Sequence, residues 1–298
     1  MVFPTGPYHP TWDGDGSDWP SRELSQFVTT GGCRFHFQRS IPDAPGTKKL
    51  LFLHGTGAAT HSWVPTVNLL NNEYECLNLD LPGHGFSRAR AAAKPTLPGV
   101  ADSIAALLYS LSFDPDLIVG HSAGAAIAIQ LATQNLEQTK KVVAINAAFQ
   151  PFPGSAKFIF PTLAKMLFLN PFTPYLFAES GRRAGRVEAL MNGTGSVIDE
   201  DTLRYYRRLM QRPGHIEGAL RMMANWDLLS FQRTAERFDG WIHLVAAAND
   251  KTIPATDLEK NAALFSSVET SLVEGLGHLS HEEDPTLVAD LIRQALRA

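Results

Sequence analysis

The stretch DLIVGHSAGAAIAIQLA, from Asp116 to Ala132, decides how the rest of the chain is read. Leu117-Ile118-Val119 is a short apolar run of the kind that fills a buried strand. Ala125 to Ala132 is small and apolar, with neither glycine nor proline, which predicts a buried helix. Between them stands Gly120-His121-Ser122-Ala123-Gly124. A bare G-x-S-x-G recurs by chance. Between a strand and a helix it has the context of a nucleophile elbow, a sharp turn that holds a serine hydroxyl up for reaction.

The same reading extends outward. In CRFHFQR, Cys33, Phe35 and Phe37 share one face, and Arg34, His36 and Gln38 the other. That alternation predicts a half-exposed strand entered through a turn at Gly31-Gly32. KLLFLHG and YECLNLDLPG are two more strands, the second ending near Asp80, with a helix between them from Ser62 to Asn71. LPGVADSIAALLYSLS is another helix, KKVVAIN and WIHLVAA are strands, and SLVEG is the last strand before a C-terminal helix from Pro285 to Ala298. Apolar strands alternating with helices predict an α/β fold, a mostly parallel sheet flanked by helices, with chemistry at the carboxyl ends of the strands.

The alternation breaks between Phe149 and Arg233, where helical stretches are punctuated by Pro153, Pro161, Pro171, Pro174 and Pro213. Residues 149–233 therefore read as a helical cap, or lid, inserted into a core domain of residues 18–148 and 234–298. The Pro-, Gly- and Asp-rich residues 1–17 read as a loose arm.

Composition narrows the classes. The 298 residues are 44% hydrophobic and 19% charged, an ordinary globular balance. Lys plus Arg is 26 against 30 for Asp plus Glu, a net charge of −4 that gives no reason to expect nucleic acid. Cys33 and Cys76 sit in apolar runs and read as buried thiols. The N-terminus lacks the basic start and apolar core of a secretory signal, and no run of about eighteen apolar residues could span a membrane. The expectation is a soluble, cytoplasmic protein.

A serine hydroxyl needs a base, and the base needs a partner that fixes its tautomer. LVAAANDKTIP places Asp250 just past a strand, and LVEGLGHLSHEEDP places His278 in a glycine-rich loop past the last one. The order Ser122, Asp250, His278 is that of a Ser-His-Asp triad on such a sheet. An oxyanion hole would use the amide of Ala123 and one from the loop after LLFLHG, Thr56 first and Gly57 second. Each element has a bland reading alone: Asp250 could cap the helix near Pro254, and His278 could fill a loop. Their conjunction carries the assignment.

Other histidines rank lower. His54 is expected to brace the oxyanion loop, His84 to be structural, and His121 to point away from the hydroxyl. His281 is the rival to His278. HEED hints at a metal, but no second ligand cluster supports one, and the chemistry requires no cofactor.

HGTG, DLPGHGFS, GHSAG, NDKTIP and GHLSHEEDP together resemble the α/β-hydrolase superfamily, which implies that fold and an acyl-transfer site. A serine in the elbow departs from the haloalkane dehalogenases and epoxide hydrolases, and Ala123 from the methionine common in cofactor-free haloperoxidases. A narrower set, DWPSRELSQFV, HGTGAATHSW, GHSAGAAIAIQLA, PFPG, NGTGS, MMANWDL and GLGHLSHEEDP, resembles the magnesium-chelatase accessory proteins of bacteriochlorophyll biosynthesis. That resemblance implies a role near magnesium insertion into protoporphyrin in a phototroph, with a magnesium chelatase subunit as a partner.

The cap is dense in Phe, Leu, Met and Trp, which suits a flat, apolar ligand such as a tetrapyrrole. His121, Phe149, Phe168, Met222, Met223 and Trp226 are the candidate substrate contacts. Burial of cap helices against the core explains the same residues. Arg182, Arg183, Arg186, Arg204, Arg207, Arg208, Arg212 and Arg221 could meet carboxylates, although RYYRRLMQR reads first as a solvated helix face or a docking surface. The apolar cap could also touch a membrane surface. Three functions stay open: a serine hydrolase acting on an ester of a hydrophobic substrate, a non-catalytic porphyrin-binding or chelatase accessory, and a general carboxylesterase or C–C bond hydrolase.

Overall fold

The computed structural model describes residues 7–90, 95–136, 138–150 and 170–297. Its strands are β1 (Ser25–Thr30), β2 (Cys33–Ser40), β3 (Lys49–Leu53), β4 (Glu75–Leu79), β5 (Arg88–Ala89), β6 (Leu117–His121), β7 (Lys141–Ile145), β8 (Trp241–Ala247) and β9 (Val268–Val273). They form one sheet in the order β1-β2-β4-β3-β6-β7-β8-β9, with β5 paired to β2. From β4 to β9 every pairing is parallel, and β2 is antiparallel to β1, β4 and β5.

Parallel neighbours need crossover helices, and these cover both faces. Leu51, Leu53, Ile118, Val142 and Leu244 point into one core with α3 (Leu97–Ser110) and α4 (Ala123–Gln134). Leu50, Phe52, Val119, Val143 and Val245 alternate into the other, against α2 (Val64–Leu70) and the C-terminal helix. Burying one such side chain contributes roughly 1.5–3 kcal/mol. No described helix is long and apolar enough to cross a membrane.

Before β1 lies the short helix α1 (Trp12–Asp15). After β7, the described residues form α5 (Thr173–Gly181), α6 (Arg186–Gly193), α7 (Glu200–Met210), α8 (Pro213–Ala224) and α9 (Leu228–Ala235) before the chain returns at β8. Among the described residues, the remaining α-helices are α10 (Leu258–Ala262), α11 (Ser280–Glu283) and α12 (Pro285–Arg297). Pro153, Pro161 and Phe168 lie outside the described residues.

Two differences from the sequence reading have one cause. The second face of β2 is covered, with His36 and Gln38 both buried. Residues 7–24, part of which was read as a loose arm, lie across it. Gln38 Nε2 donates to Pro20 O at 2.6 Å, and the Trp12 ring lies 4.9 Å from that of His36. The same segment captures arginines of α7 and of the turn between α7 and α8. Arg208 meets Asp18 at 2.6 Å, and Arg212 meets the buried Asp15. Arg207 pairs with Glu188 and Glu200. These guanidiniums hold elements of the chain together rather than forming a solvated face.

A buried polar chain joins α7 to the core. His281 Nε2 donates to Ser62 Oγ at 2.7 Å, Ser62 donates to Glu282 Oε1 at 2.5 Å, and Tyr206 donates to the same oxygen at 2.6 Å. Burial pushes the Glu282 carboxyl up to about 7 against the pull of these two hydroxyls. Between the ordinary value of 4.5 and about 7, the folded protein therefore holds a proton that the unfolded chain has lost. Stability falls as pH rises through that window and is level above it. Glu282→Gln should remove this slope. Urea unfolding of both proteins at intervals from about pH 5 to 8 checks it: the stability of wild type relative to the variant should decline with pH and then flatten.

Candidate active site

Ser122 follows β6 with φ +52° and ψ −115°, a positive φ that a residue with a Cβ rarely adopts. Its amide donates to Ile145 O at 2.9 Å, which ties the turn to β7. The turn is tight because a Cβ at Gly124 would stand 2.2 Å from Leu53 O, so only glycine lets α4 approach β3. This is the geometry expected of an elbow, and its strain is held by packing on both sides.

Asp250 lies three residues past β8 and is buried, as is His278. His278 Nδ1 stands 2.7 Å from Asp250 Oδ2. The other carboxylate oxygen accepts the amides of Thr252 at 2.7 Å and Ile253 at 2.8 Å. Asp250 thus fixes its own turn with one oxygen and the imidazole with the other. A carboxylate at Nδ1 selects the tautomer that leaves Nε2 bare, as a base requires. Among the described residues, neither Ser122 Oγ nor His278 Nε2 takes part in a hydrogen bond with another group.

His278 is brought to the elbow through its backbone. Its carbonyl oxygen accepts from His121 Nε2 at 2.8 Å and from Asn146 Nδ2 at 2.8 Å. His121 is fully buried, and burial holds it well below its ordinary pKa, so it is a neutral donor that adds no charge beside His278. Asn146, at the end of β7, also accepts the Ala247 amide through Oδ1 at 2.8 Å and reaches Gly277 O and Ser280 Oγ at 3.2 Å. It has φ +47°. In the sequence Asn146 is visible only as the residue that ends KKVVAIN. A lone asparagine ending an apolar strand was the one available signal.

The oxyanion loop is braced from two directions. His54 Nδ1 donates to Gly55 O at 2.7 Å, and its Nε2 accepts the Leu81 amide at 2.9 Å. From α8, His215 Nε2 donates to Gly57 O at 3.0 Å, while Nδ1 accepts the Gly85 amide at 3.0 Å. Burial lowers His215 to about 4, which keeps it the neutral strut these two bonds need. Asp80 is buried between the same loops and accepts the amides of Thr60 and Phe86 at 2.7 Å each. Burial opposes its charge, but His36 at 2.8 Å, then His54 and the Phe86 amide, hold its carboxyl well below the usual range. Among the described residues, no acceptor is recorded for the amides of Thr56, Gly57 or Ala123.

The NGTGS stretch, Asn192–Ser196, docks on both candidate loops. Thr194 O accepts the amides of Lys251 at 3.0 Å and His278 at 3.4 Å, and Ser196 Oγ accepts that of Leu279 at 2.8 Å. Gly195 has φ +88°, and a Cβ there would lie 2.0 Å from Asn249 O.

The expected substrate contacts scatter. His121 is a buried brace, and Phe149 packs in the core against Phe231 at 5.0 Å. Met222 and Trp226 pack on the core beneath α3 and α4, and Met223 is half-buried. His281 turns to Ser62 rather than to Asp250. Among the described residues, no group of three or more His, Cys, Asp or Glu could hold a metal ion.

Residues 50–291 match the family described as the alpha/beta hydrolase family. The chain is 39% identical over 267 residues to the magnesium-chelatase 30 kDa subunit of Rhodobacter capsulatus, covering 89% of this chain and 92% of that protein. Among solved structures, the epoxide hydrolase CorEH has a TM-score of 0.75 at 18% identity over 92% of this chain and 98% of its own. A thermophilic esterase from Thermogutta terrifontis has a TM-score of 0.71 at 18% identity, with the same coverages. Likeness at that identity is likeness of fold.

Asn146→Ala strands the Ala247 amide and removes one of the two donors to His278 O. Leaving such buried groups unmatched costs about 1–3 kcal/mol. The urea midpoint should fall accordingly, while Asn68→Ala, on an exposed helix face, should leave it within about 0.5 kcal/mol.

Proposed function

The chain belongs to the α/β-hydrolase family, and from that premise we propose that it is a serine hydrolase acting on an ester or similar acyl bond of a hydrophobic substrate. Ser122 attacks the carbonyl carbon, and His278 Nε2 takes the hydroxyl proton. Asp250 holds the imidazole in its tautomer and stabilises the imidazolium. The amides of Ala123 and of Thr56 or Gly57 receive the oxyanion. His278 then returns the proton to the leaving alcohol, and water clears the acyl-enzyme by the same steps.

The observation that carries this reading is the pair of bonds on either side of His278. Nδ1 meets Asp250 at 2.7 Å, and the carbonyl accepts from His121, the residue before the nucleophile. A protein that only binds has no physical need for this arrangement beside a serine at φ +52°. On this reading, residues 149–233 are the cap over a core of residues 18–148 and 234–298, and the substrate enters beneath them.

A second reading has its own support: the relative from Rhodobacter capsulatus carries the name of a magnesium-chelatase subunit. Here the chain is an accessory that binds a porphyrin or docks on chelatase, and Ser122 does no chemistry. The exposed Leu176, Phe177, Leu190 and Val197 on and beside α5 and α6 are compatible with docking on a protein or a membrane surface. A tetrapyrrole ester as the substrate would keep the hydrolase reading and still account for the name that this relative carries.

Intact-mass measurement with a fluorophosphonate probe separates them. Wild type should gain one adduct on Ser122, and Ser122→Ala none. Asp250→Asn should slow labelling by about 1,000- to 10,000-fold, because the amide favours the wrong tautomer. A folded wild type that stays unlabelled by probes of decreasing size would leave the accessory reading in place of the hydrolase.

A further inference from the structure

The face of α8 next to its His215 strut borders a partly open cavity of about 170 Å³, lined also by the loop after β4, the start of α3 and His9. That is below the roughly 300 Å³ of drug-sized sites, so its occupant is small. One wall is cationic. Arg88, Arg90 and Arg221 line it against a single carboxylate, Glu217. Glu217 already accepts from Tyr8 at 2.8 Å and stands 3.9 Å from Arg221.

Arg88 is half-buried, and its recorded donations go to neutral carbonyls, Gly85 O at 3.3 Å and Pro10 O. Among the described residues, neither Arg88 nor Arg90 forms an ion pair. Burial brings the Arg88 guanidinium down to about 10, with Arg34 pushing the same way. Asp80 and Asp15 offset this in part through charge alone, without an ion pair to Arg88. Burial, with Arg88 beside it, also lowers His9 to about 4, so His9 adds no charge. A half-buried guanidinium with no carboxylate in direct contact keeps its fork open, and such forks match carboxylates two bonds at a time. Val100 and Met222, both buried in the core, supply apolar lining to the same cavity.

We propose that this cavity is a binding site for a small carboxylate, its charge held by Arg88, Arg90 and Arg221 and its apolar body resting on Val100 and Met222. It is separate from the candidate active site. Gly214 and Gly218 line the cavity, whereas His215 between them sends its ring to Gly57.

Calorimetric titration of the full chain with benzoate tests the site, with benzamide and inorganic phosphate as controls. Benzoate should bind more tightly than about 1 mM, and both controls at least about tenfold more weakly. Arg90→Gln and Arg221→Gln should each weaken benzoate about tenfold, with melting temperatures matching wild type. Ser122→Ala should leave binding unchanged, which keeps this result independent of whether Ser122 is a nucleophile. The proposal is overturned if benzoate does not bind or if benzamide or phosphate binds as well. It is also overturned if both folded arginine variants bind like wild type, or if Ser122→Ala abolishes binding.

Discussion

The carbonyl oxygen of His278 receives two buried hydrogen bonds, from His121 at 2.8 Å and from Asn146 at 2.8 Å, and the candidate site is organised around them. His121 ends β6 immediately before Ser122, and Asn146 follows β7. A third strand enters through Asn146 Oδ1, which accepts the Ala247 amide at the end of β8. Three neighbouring parallel strands thus fix one loop by their carboxyl ends. The position of the imidazole is therefore a property of the sheet rather than of its own glycine-rich loop. This is how a residue 156 positions away in sequence from Ser122 is tied to the residue that precedes it.

The second organising set comes from the helices after β7. NGTGS sits on the loops of Asp250 and His278, Tyr206 joins the buried chain to Glu282, and His215 holds Gly57. Each contact makes this segment part of the site's framework and not only a cover. Neutrality matters to that framework. His121, His215, His54 and His281 are all shifted down by burial and act as fixed dipoles. A charged imidazole at any of them would leave a buried charge unpaired, and on the proposed mechanism it would also oppose an imidazolium at His278.

Electrostatics also explain where the sequence reading and the structure part. The arginines of RYYRRLMQR look like a solvated face because their partners are distant or unremarkable in sequence. Asp15 belongs to, and Asp18 directly follows, the segment whose composition suggests a loose arm. Once paired, they fasten that segment over β2, and burial of His36 and Gln38 follows. The arm's order and the arginines' role are one fact seen from two sides.

The sequence by itself determined the fold class and seven strands in their order, from β2 to β9 without β5, and it singled out Ser122, Asp250 and His278 as candidates; β1, β5 and α1 were not legible in it. The legible features rest on local patterns, because apolar periodicity, glycine turns and the position of a polar residue just past a strand are visible within a few residues. Tertiary structure alone decided what holds them in place: Asn146, His121, His215, NGTGS and Asp80. Their hydrogen-bond partners lie up to 158 residues away, as His215 does from Gly57. A single directional bond across that separation leaves no period, spacing or composition in the chain. It becomes legible only when strand register and helix packing bring donor and acceptor within about 3 Å.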